Sequence, residues 1–209
     1  SFPTRRSSDL NTQICLAYAY GDGGETSCEN VIASVRKIMY GIPINSYAAL
    51  DMSGISVLND KVGGVKVEVL ETVGPFKKGQ TVTLKGENAM KYVRYRNKDR
   101  IDASLLRMQR QLQYVREFTS TAVKKVTANP SSVTDIYNTA MKYAYTNVGL
   151  SKASYFATRF VAGASPQFEN CSVPGKIVEG KDGYAEFYIE EKSFYELILS
   201  VYYNEVGTC

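Results

Sequence analysis

The spacing of apolar residues between Asp102 and Val126 limits how this chain can fold more than any other part of the sequence. They recur at steps of three and four, which predicts one long helix with a continuous apolar stripe. At 1.5 Å per residue this helix would be about 37 Å long, so its stripe needs other elements to cover it. We therefore expect the helix to pack within a single domain, with these positions buried: Leu105, Met108, Leu112, Val115, Thr119, Ala122 and Val126.

Helix and strand patterns alternate along the rest of the chain. Valines that alternate with Lys66 and Glu68 are typical of a half-buried strand. The first helix is predicted to begin at an N-cap on Thr26 or Ser27 and to stop at Gly41. This order favours an α/β sandwich with helices on both faces of the sheet. Strands are predicted at 46–52, 65–69, 80–84, 173–178 and 184–189, and further helices at 53–62, 86–96, 131–146, 151–162 and 193–203.

The chain contains no histidine. This excludes Ser-His-Asp and Cys-His nucleophiles, histidine-ligated zinc and imidazole acid–base catalysis. The four cysteines include no CxxC pair, so they make a poor zinc set as well. We expect the cysteines to be ordinary buried thiols. The alternative is a disulfide between Cys15 and Cys28, which flank a glycine-rich turn. The other two are Cys171 and Cys209.

Positive charge is concentrated in one segment, residues 91–125. The whole chain has 25 Lys and Arg against 21 Asp and Glu, a net charge of +4. The segment alone has ten cations against Asp99, Asp102 and Glu117, a local net of +7 that leaves about −3 for the rest. Such a concentration suits phosphates, nucleic acid or membrane headgroups. The cations are Lys91, Arg94, Arg96, Lys98, Arg100, Arg107, Arg110, Arg116, Lys124 and Lys125.

Among these anionic ligands, the spacing of the arginines favours a phosphate or pyrophosphate. Arg94 and Arg96 would project the same way if the helix frays into extended chain between them. Arg107, Arg110 and Gln111 share one face of the long helix, near its predicted N-terminus, where the dipole favours anions. Guanidinium groups bind phosphate oxygens bidentately and stay charged. The alternative is a solvated basic helix face with no ligand.

Several sequence motifs occur in the same order as in a known protein family. They are Ala17-Tyr-Ala-Tyr-Gly21, the stretch Gly41–Val65, and Gly86-Glu-Asn-Ala-Met-Lys-Tyr-Val-Arg-Tyr-Arg96 followed by Arg107-Met-Gln-Arg-Gln111. Together they resemble the LytR-CpsA-Psr domain from about residue 11 to about residue 203. The Arg-x-Arg pair and the Arg-x-x-Arg-Gln element are the most specific part of the match. The sequence around this element, with Asp102-Ala-Ser before it, resembles family members from clostridial Gram-positive bacteria.

The resemblance implies a fold and an activity. The fold would be a three-layer α/β/α domain with a central mixed sheet flanked by helices, incomplete here at its N-terminus. The family comprises membrane-anchored extracytoplasmic phosphotransferases. They move teichoic acid or capsular polysaccharide from an undecaprenyl-pyrophosphate carrier to peptidoglycan, with Mg²⁺ on the pyrophosphate and the prenyl chain in an apolar tunnel. Its implied partners are that carrier, peptidoglycan and the membrane, reached through an anchor outside this chain, and not nucleic acid.

The resemblance also implies roles for particular residues. Arg94, Arg96, Arg107 and Gln111 would form the catalytic set that binds the pyrophosphate. This agrees with the charge map, since phosphoryl transfer needs positioning and charge neutralisation more than a nucleophilic side chain. Further substrate-binding residues would be Arg110 beside this set, Asp102 as the counterpart of an acidic family position, and Lys98.

The chain departs from the family at its N-terminal end. The metal-binding aspartates of the family lie in Arg-Ser-Asp and Pro-Arg-Asp motifs before the Ala-Tyr-Ala-Tyr-Gly segment, and nothing before residue 11 supplies them. Residues 1–10 resemble a translated sequencing adapter, which would leave 11–209 as a partial catalytic domain. We therefore expect an enzyme as parent, with this chain inactive or nearly so and its Mg²⁺ ligands missing.

Two other functions are compatible with the same residues. The chain could be a non-catalytic binder of anionic cell-wall polymer or prenyl pyrophosphate. It could also be a nucleic-acid-binding regulator, which the basic helix supports weakly, because a helix with a full apolar stripe has little surface left to enter a groove.

Overall fold

A computed structural model describes residues 14–97, 100, 103–162, 171–179 and 185–203. Within those residues the chain forms seven α-helices and six strands, preceded by two short 3₁₀ turns at Ile14–Leu16 and Tyr18–Tyr20. In chain order the elements are α1 Glu25–Ile38, β1 Ala48–Leu50, α2 Met52–Lys61, β2 Val65–Glu68, β3 Thr81–Leu84, α3 Glu87–Arg94, α4 Ala103–Ala128, α5 Ser132–Ala140, β4 Ala144–Thr146, α6 Leu150–Ala162, β5 Gly175–Glu179, β6 Ala185–Ile189 and α7 Glu191–Tyr202.

The chain divides into two compact units, Ser1–Pro166 and Gln167–Cys209. The first unit holds α1 to α6 and β1 to β4, together with every described member of the predicted anion site. The second holds the β5–β6 hairpin and α7, where Phe194 and Ile198 are buried.

The described strands pair as three separate two-stranded antiparallel sheets, β1–β4, β2–β3 and β5–β6. The α/β class predicted from the alternating pattern is confirmed. The described strands do not form the predicted single central mixed sheet, since they pair two by two and none of these pairs is parallel. Two of the sheets join strands that follow one another in the chain, and a short connection between neighbours favours antiparallel pairing.

The main core lies where β2 and β3 pack against α3 and α4. Val65 and Val67 of β2 are buried while Lys66 and Glu68 are exposed, so the predicted half-buried strand is confirmed. Leu84 of β3 is fully buried in the same cluster. This core matters for the site because it includes Tyr92 and Val93 of α3 and Tyr114 of α4, the two helices that carry the basic residues.

The start of α1 differs from the prediction. The N-cap is Gly24, and neither Thr26 nor Ser27 caps the helix. The carboxylate of Asp22 accepts hydrogen bonds from the backbone N–H groups of Gly24 at 2.8 Å and Ser27 at 3.3 Å. These hydrogen bonds hold the pKa of Asp22 below its ordinary value. A carboxylate two residues before the cap therefore satisfies the donors at the start of α1. Cys28 in this helix is a free, buried thiol, so a Cys15–Cys28 disulfide is not formed.

The predicted helix at 131–146 was too long. The helix α5 ends at Ala140, and residues 144–146 form β4, which pairs with β1 in the register Ala48 to Thr146. The hydroxyl of Thr146 also donates to the backbone oxygen of Tyr47 at 2.5 Å. This segment is a strand because it pairs with β1, almost a hundred residues away. The local sequence pattern carries no signal of so distant a partner.

The buried stripe predicted for α4 is wrong over the first half of the helix. Leu105, Met108, Leu112 and Val115 are 39%, 43%, 46% and 54% exposed. The face that is buried instead carries Ala103, Arg110 and Tyr114. Only farther along, around Ala122, does the predicted stripe pack against the core. The spacing of apolar residues identified a stripe on this helix but not which face the neighbouring elements cover.

Candidate functional site: a cationic segment beside an apolar cavity

Local packing of α3 turns its cations outward. The helix begins after Gly86, whose φ of +52° favours glycine, and the N–H of Gly86 donates to Asp60 Oδ1 at 2.7 Å. Tyr92 and Val93 are buried on the core side of α3. Lys91 and Arg94 lie on the other side and are exposed.

The helix ends at Arg94, two residues earlier than predicted, and Tyr95 is extended with φ −51° and ψ 137°. Arg94 and Arg96 can project the same way only if the chain between them is extended, and the backbone of Tyr95 meets that condition. Both arginines are exposed. Among the described residues, none forms a hydrogen bond or an ion pair with either guanidinium group.

Arg110 is in a different position, fully buried between α4 and the end of α3. Its Nε donates to the backbone oxygen of Tyr92 at 3.1 Å, and its Nη2 donates to the backbone oxygen of Tyr95. Its Nη1 forms an ion pair with Glu71. Burial lowers the pKa of the guanidinium, because the charged form loses hydration. Two nitrogens of Arg110 thus donate to backbone oxygens and a third is ion-paired, in contrast to the guanidinium groups of Arg94 and Arg96.

Arg107 and Gln111 lie one turn apart on α4 and are both partly exposed. The side-chain amide of Gln111 donates a long hydrogen bond, 3.5 Å, to the backbone oxygen of Val93. No described residue pairs with the guanidinium of Arg107. Gln111 thus lies against the end of α3, and Arg107, one turn earlier on α4, is an available cation.

Two of the predicted site residues, Arg94 and Gln111, line cavities, and the two cavities are different. Arg94 lines a groove of about 480 Å³ with Phe76, Met90, Lys91 and Tyr95 among its other residues. Gln111 lines a cavity of about 340 Å³ whose remaining wall is almost entirely apolar. That wall is formed by Leu50, Ile55, Leu58, Val93, Tyr114, Val115 and Phe118.

Sequence reasoning missed two polar residues at this site, Glu71 and Gln113. Gln113 accepts a hydrogen bond from the hydroxyl of Tyr92 at 2.8 Å and donates to the backbone oxygen of Glu68 at 2.6 Å. Neither residue belongs to a motif that the sequence analysis used. The only signal for Glu71 was its negative charge close to a segment rich in arginine.

Two predicted substrate-binding residues, Lys98 and Asp102, lie outside the described residues. Over the part of the chain that is described, no three or more His, Cys, Asp or Glu side chains are grouped so that they could hold a metal ion. The residues described here therefore do not fit the Mg²⁺ site that the resemblance implies. None of the described helices is long and apolar enough to cross a membrane.

Fold and site together define an α/β protein with available arginines next to an apolar cavity, an arrangement suited to an amphiphilic anion. The LytR_cpsA_psr family model matches residues 5–198, and the chain therefore belongs to the LytR-CpsA-Psr family. This is a family of cell-wall glycopolymer transferases. The family and the α/β fold inferred from the motifs are thus confirmed.

Solved structures share this fold at low sequence identity. TagV of Bacillus subtilis is 21% identical, with 94% of this chain and 78% of TagV covered and a TM-score of 0.75. TagT, solved bound to LI-WTA, is 20% identical, with 90% and 69% covered and a TM-score of 0.70. A protein of Enterococcus faecalis described as a transcriptional regulator is 19% identical, with 92% and 69% covered and a TM-score of 0.74. A search among curated proteins found no significant match.

Proposed function

We propose that this chain binds the pyrophosphate of a polyprenyl-linked glycopolymer, such as a teichoic acid or capsular precursor, through Arg94, Arg96, Arg107 and Gln111. In the proposed reaction the polymer passes from an undecaprenyl-pyrophosphate carrier to peptidoglycan on the outer face of the membrane. The observation that carries the proposal is the contrast in pairing among the arginines. Three of the four described arginines in this site have no described partner, whereas the charge of Arg110 is already neutralised by Glu71.

The apolar cavity supports a lipid-linked ligand rather than free pyrophosphate. Gln111 lies in its wall, so one of the polar site residues is part of an otherwise apolar surface. Val115, also in that wall, is 54% exposed, which leaves apolar area on α4 for a prenyl chain to cover. Each methylene that such a chain buries would contribute about 0.8 kcal/mol. The ligand bound to TagT, LI-WTA, is consistent with this class of substrate.

The chemistry we propose for these residues is charge neutralisation and orientation. Arg94, Arg96 and Arg107 would bind the phosphate oxygens, and Gln111 would donate a neutral hydrogen bond to them. A Mg²⁺ ion would further neutralise the pyrophosphate in such a reaction. Because no described cluster fits this ion, we assign it no ligand and no step here.

The test is equilibrium binding of farnesyl pyrophosphate, a short-chain prenyl pyrophosphate, to the wild type and to Arg94→Ala and Arg107→Ala. We expect each substitution to weaken binding by on the order of tenfold, since each removes a charge-assisted contact. The matched control is Lys124→Ala, which removes a cation from the same helix about 25 Å from Arg107 and should leave binding unchanged. Equal losses in all three variants would indicate attraction by net charge alone and contradict the proposal.

The same samples can test the nucleic-acid alternative, which the description of the Enterococcus faecalis neighbour as a transcriptional regulator raises. Binding to unrelated duplex DNA with a steep salt dependence would favour that function. We expect farnesyl pyrophosphate to bind more tightly than inorganic pyrophosphate, a preference that a phosphate-backbone binder would not show.

A further inference from the structure

Glu71 lies just after β2, outside every motif of the sequence, yet its carboxylate is the partner of the most deeply buried cation described in the chain. Only 17% of its side chain is exposed, and only 1% of that of Arg110. A guanidinium with so little access to water is strongly disfavoured without an opposite charge. Glu71 therefore allows Arg110 to stay charged at this depth.

The other two contacts of Arg110 fall on the end of α3. The last carbonyl groups of a helix have no partners within it, and here Arg110 donates to those of Tyr92 and of Tyr95, the C-cap residue. The guanidinium carbon also lies 5.3 Å from the centre of the Tyr95 ring. One buried side chain thus fixes both the last turn of α3 and the extended residue between Arg94 and Arg96.

We infer that Glu71 and Arg110 are a positioning pair that holds the backbone of Arg94–Arg96 in the conformation that binds the anion. This inference rests on the proposed function, and it assigns Arg110 a role different from contact with the ligand. Without the carboxylate of Glu71, the Arg110 guanidinium would turn toward water and release the carbonyl groups at the end of α3. The two exposed arginines would then lose their fixed spacing.

The sign of one substitution separates this role from direct binding. Glu71→Gln removes a negative charge close to the anion site while keeping the size of the side chain. If Arg110 bound the phosphate itself, freeing it from Glu71 would strengthen binding. If the pair positions Arg94 and Arg96, the same substitution weakens binding although the site has become more positive.

The experiment compares the wild type, Glu71→Gln and Glu68→Gln in two measurements. One is the dissociation constant for farnesyl pyrophosphate, and the other is the rate of tryptic cleavage after Arg94 and Arg96. Glu68→Gln is the matched control, because its exposed side chain lies three residues away and the substitution changes net charge equally. We expect Glu71→Gln to weaken binding by about tenfold and to accelerate both cleavages, and Glu68→Gln to change neither.

Tighter binding by Glu71→Gln, or cleavage at the wild-type rate, would overturn the inference. If the wild type does not bind farnesyl pyrophosphate, the proposed function fails, but the cleavage rates still decide whether the pair fixes the segment. Circular dichroism checks that each variant is folded. Should Glu71→Gln not fold, Glu71→Asp replaces it, with an intermediate loss of binding expected, and wild-type values in both measurements would again overturn the pairing role.

Discussion

On α4, the buried face carries Arg110 and Tyr114, and the exposed face carries Met108, Leu112 and Val115. Leu112 follows Arg110 by two residues, which is about 200° around a helix, so the two lie on nearly opposite sides. Polar atoms thus face the protein and apolar side chains face outward, the reverse of an ordinary surface helix.

The contrast between the two faces shows that burial on this helix follows hydrogen bonding as well as apolarity. Arg110 is buried because two carbonyl groups accept its hydrogen bonds and Glu71 forms an ion pair with it. Tyr114 is buried because its hydroxyl donates to Asn59 Oδ1 at 3.1 Å. The outward face has apolar area to offer, which is what a lipid-linked substrate requires.

The largest effect on stability is expected from removing the buried charge on α4. Arg110→Ala leaves Glu71 without its partner and two carbonyl groups without donors, so we expect the free energy of unfolding to fall by about 3–5 kcal/mol. Urea denaturation followed by circular dichroism measures this. Lys124→Ala, on the same helix but exposed, is the control. A loss below about 1 kcal/mol would mean that Arg110 is not held as described.

A smaller effect should follow from removing one hydroxyl group on the same face. Tyr114→Phe keeps the ring but deprives the buried amide of Asn59 of its donor, so we expect a loss of about 1–3 kcal/mol in the free energy of unfolding. The comparison variant is Tyr145→Phe, because Tyr145 is 58% exposed. Equal stability of Tyr114→Phe and the wild type would show that the Asn59 contact contributes nothing.

The stability of the protein should also fall at alkaline pH because of its buried tyrosines. Burial raises the pKa of Tyr114 above the ordinary tyrosine value of 10.0, and burial raises the pKa of Tyr92 as well. Above pH 10 the unfolded chain therefore releases these protons before the folded one does, and stability falls as pH rises. Removing one such group should make this decline shallower by up to about 1.4 kcal/mol per pH unit. Urea denaturation of wild type and Tyr114→Phe at pH 9 to 11 tests it, and parallel curves would contradict the expectation.

The smallest effect on stability is expected on the exposed face. Leu112→Ala should change the free energy of unfolding by less than about 0.5 kcal/mol, because its side chain is 46% exposed. Leu84→Ala, the same substitution at a fully buried position, should cost about 2–5 kcal/mol. If the exposed face receives the prenyl chain, Leu112→Ala should nevertheless weaken binding of farnesyl pyrophosphate. Similar stability losses for both leucine variants would indicate that this face is covered after all.

The sequence was sufficient for most elements because their signals are local. The alternation of Val65 and Val67 with Lys66 and Glu68 predicted β2, and the stops at Gly63 and Gly64 agree with the end of α2 at Lys61. The family followed from the Arg-x-Arg and Arg-x-x-Arg-Gln motifs. The binding roles of Arg94, Arg96, Arg107 and Gln111 stay predictions, as do those of Lys98 and Asp102.

Other features could not be predicted because they depend on partners distant in the chain. The strand β4 exists through its pairing with β1, and no pattern within residues 131–146 indicates that pairing. The N-cap of α1 was misplaced because the carboxylate of Asp22 satisfies the helix donors from two residues before the cap.

The α/β class, the family, the long helix and the concentration of arginines could all be predicted from the chain, since periodicity, motif and charge are properties of neighbouring residues. Which face of α4 is covered and which arginine is already neutralised depend instead on contacts made in the folded protein. Arg107 and Arg110 are equivalent in a charge count, but Glu71 lies beside only one of them. The availability of a cation depends on what the fold brings next to it, and that contact joins residues 39 positions apart.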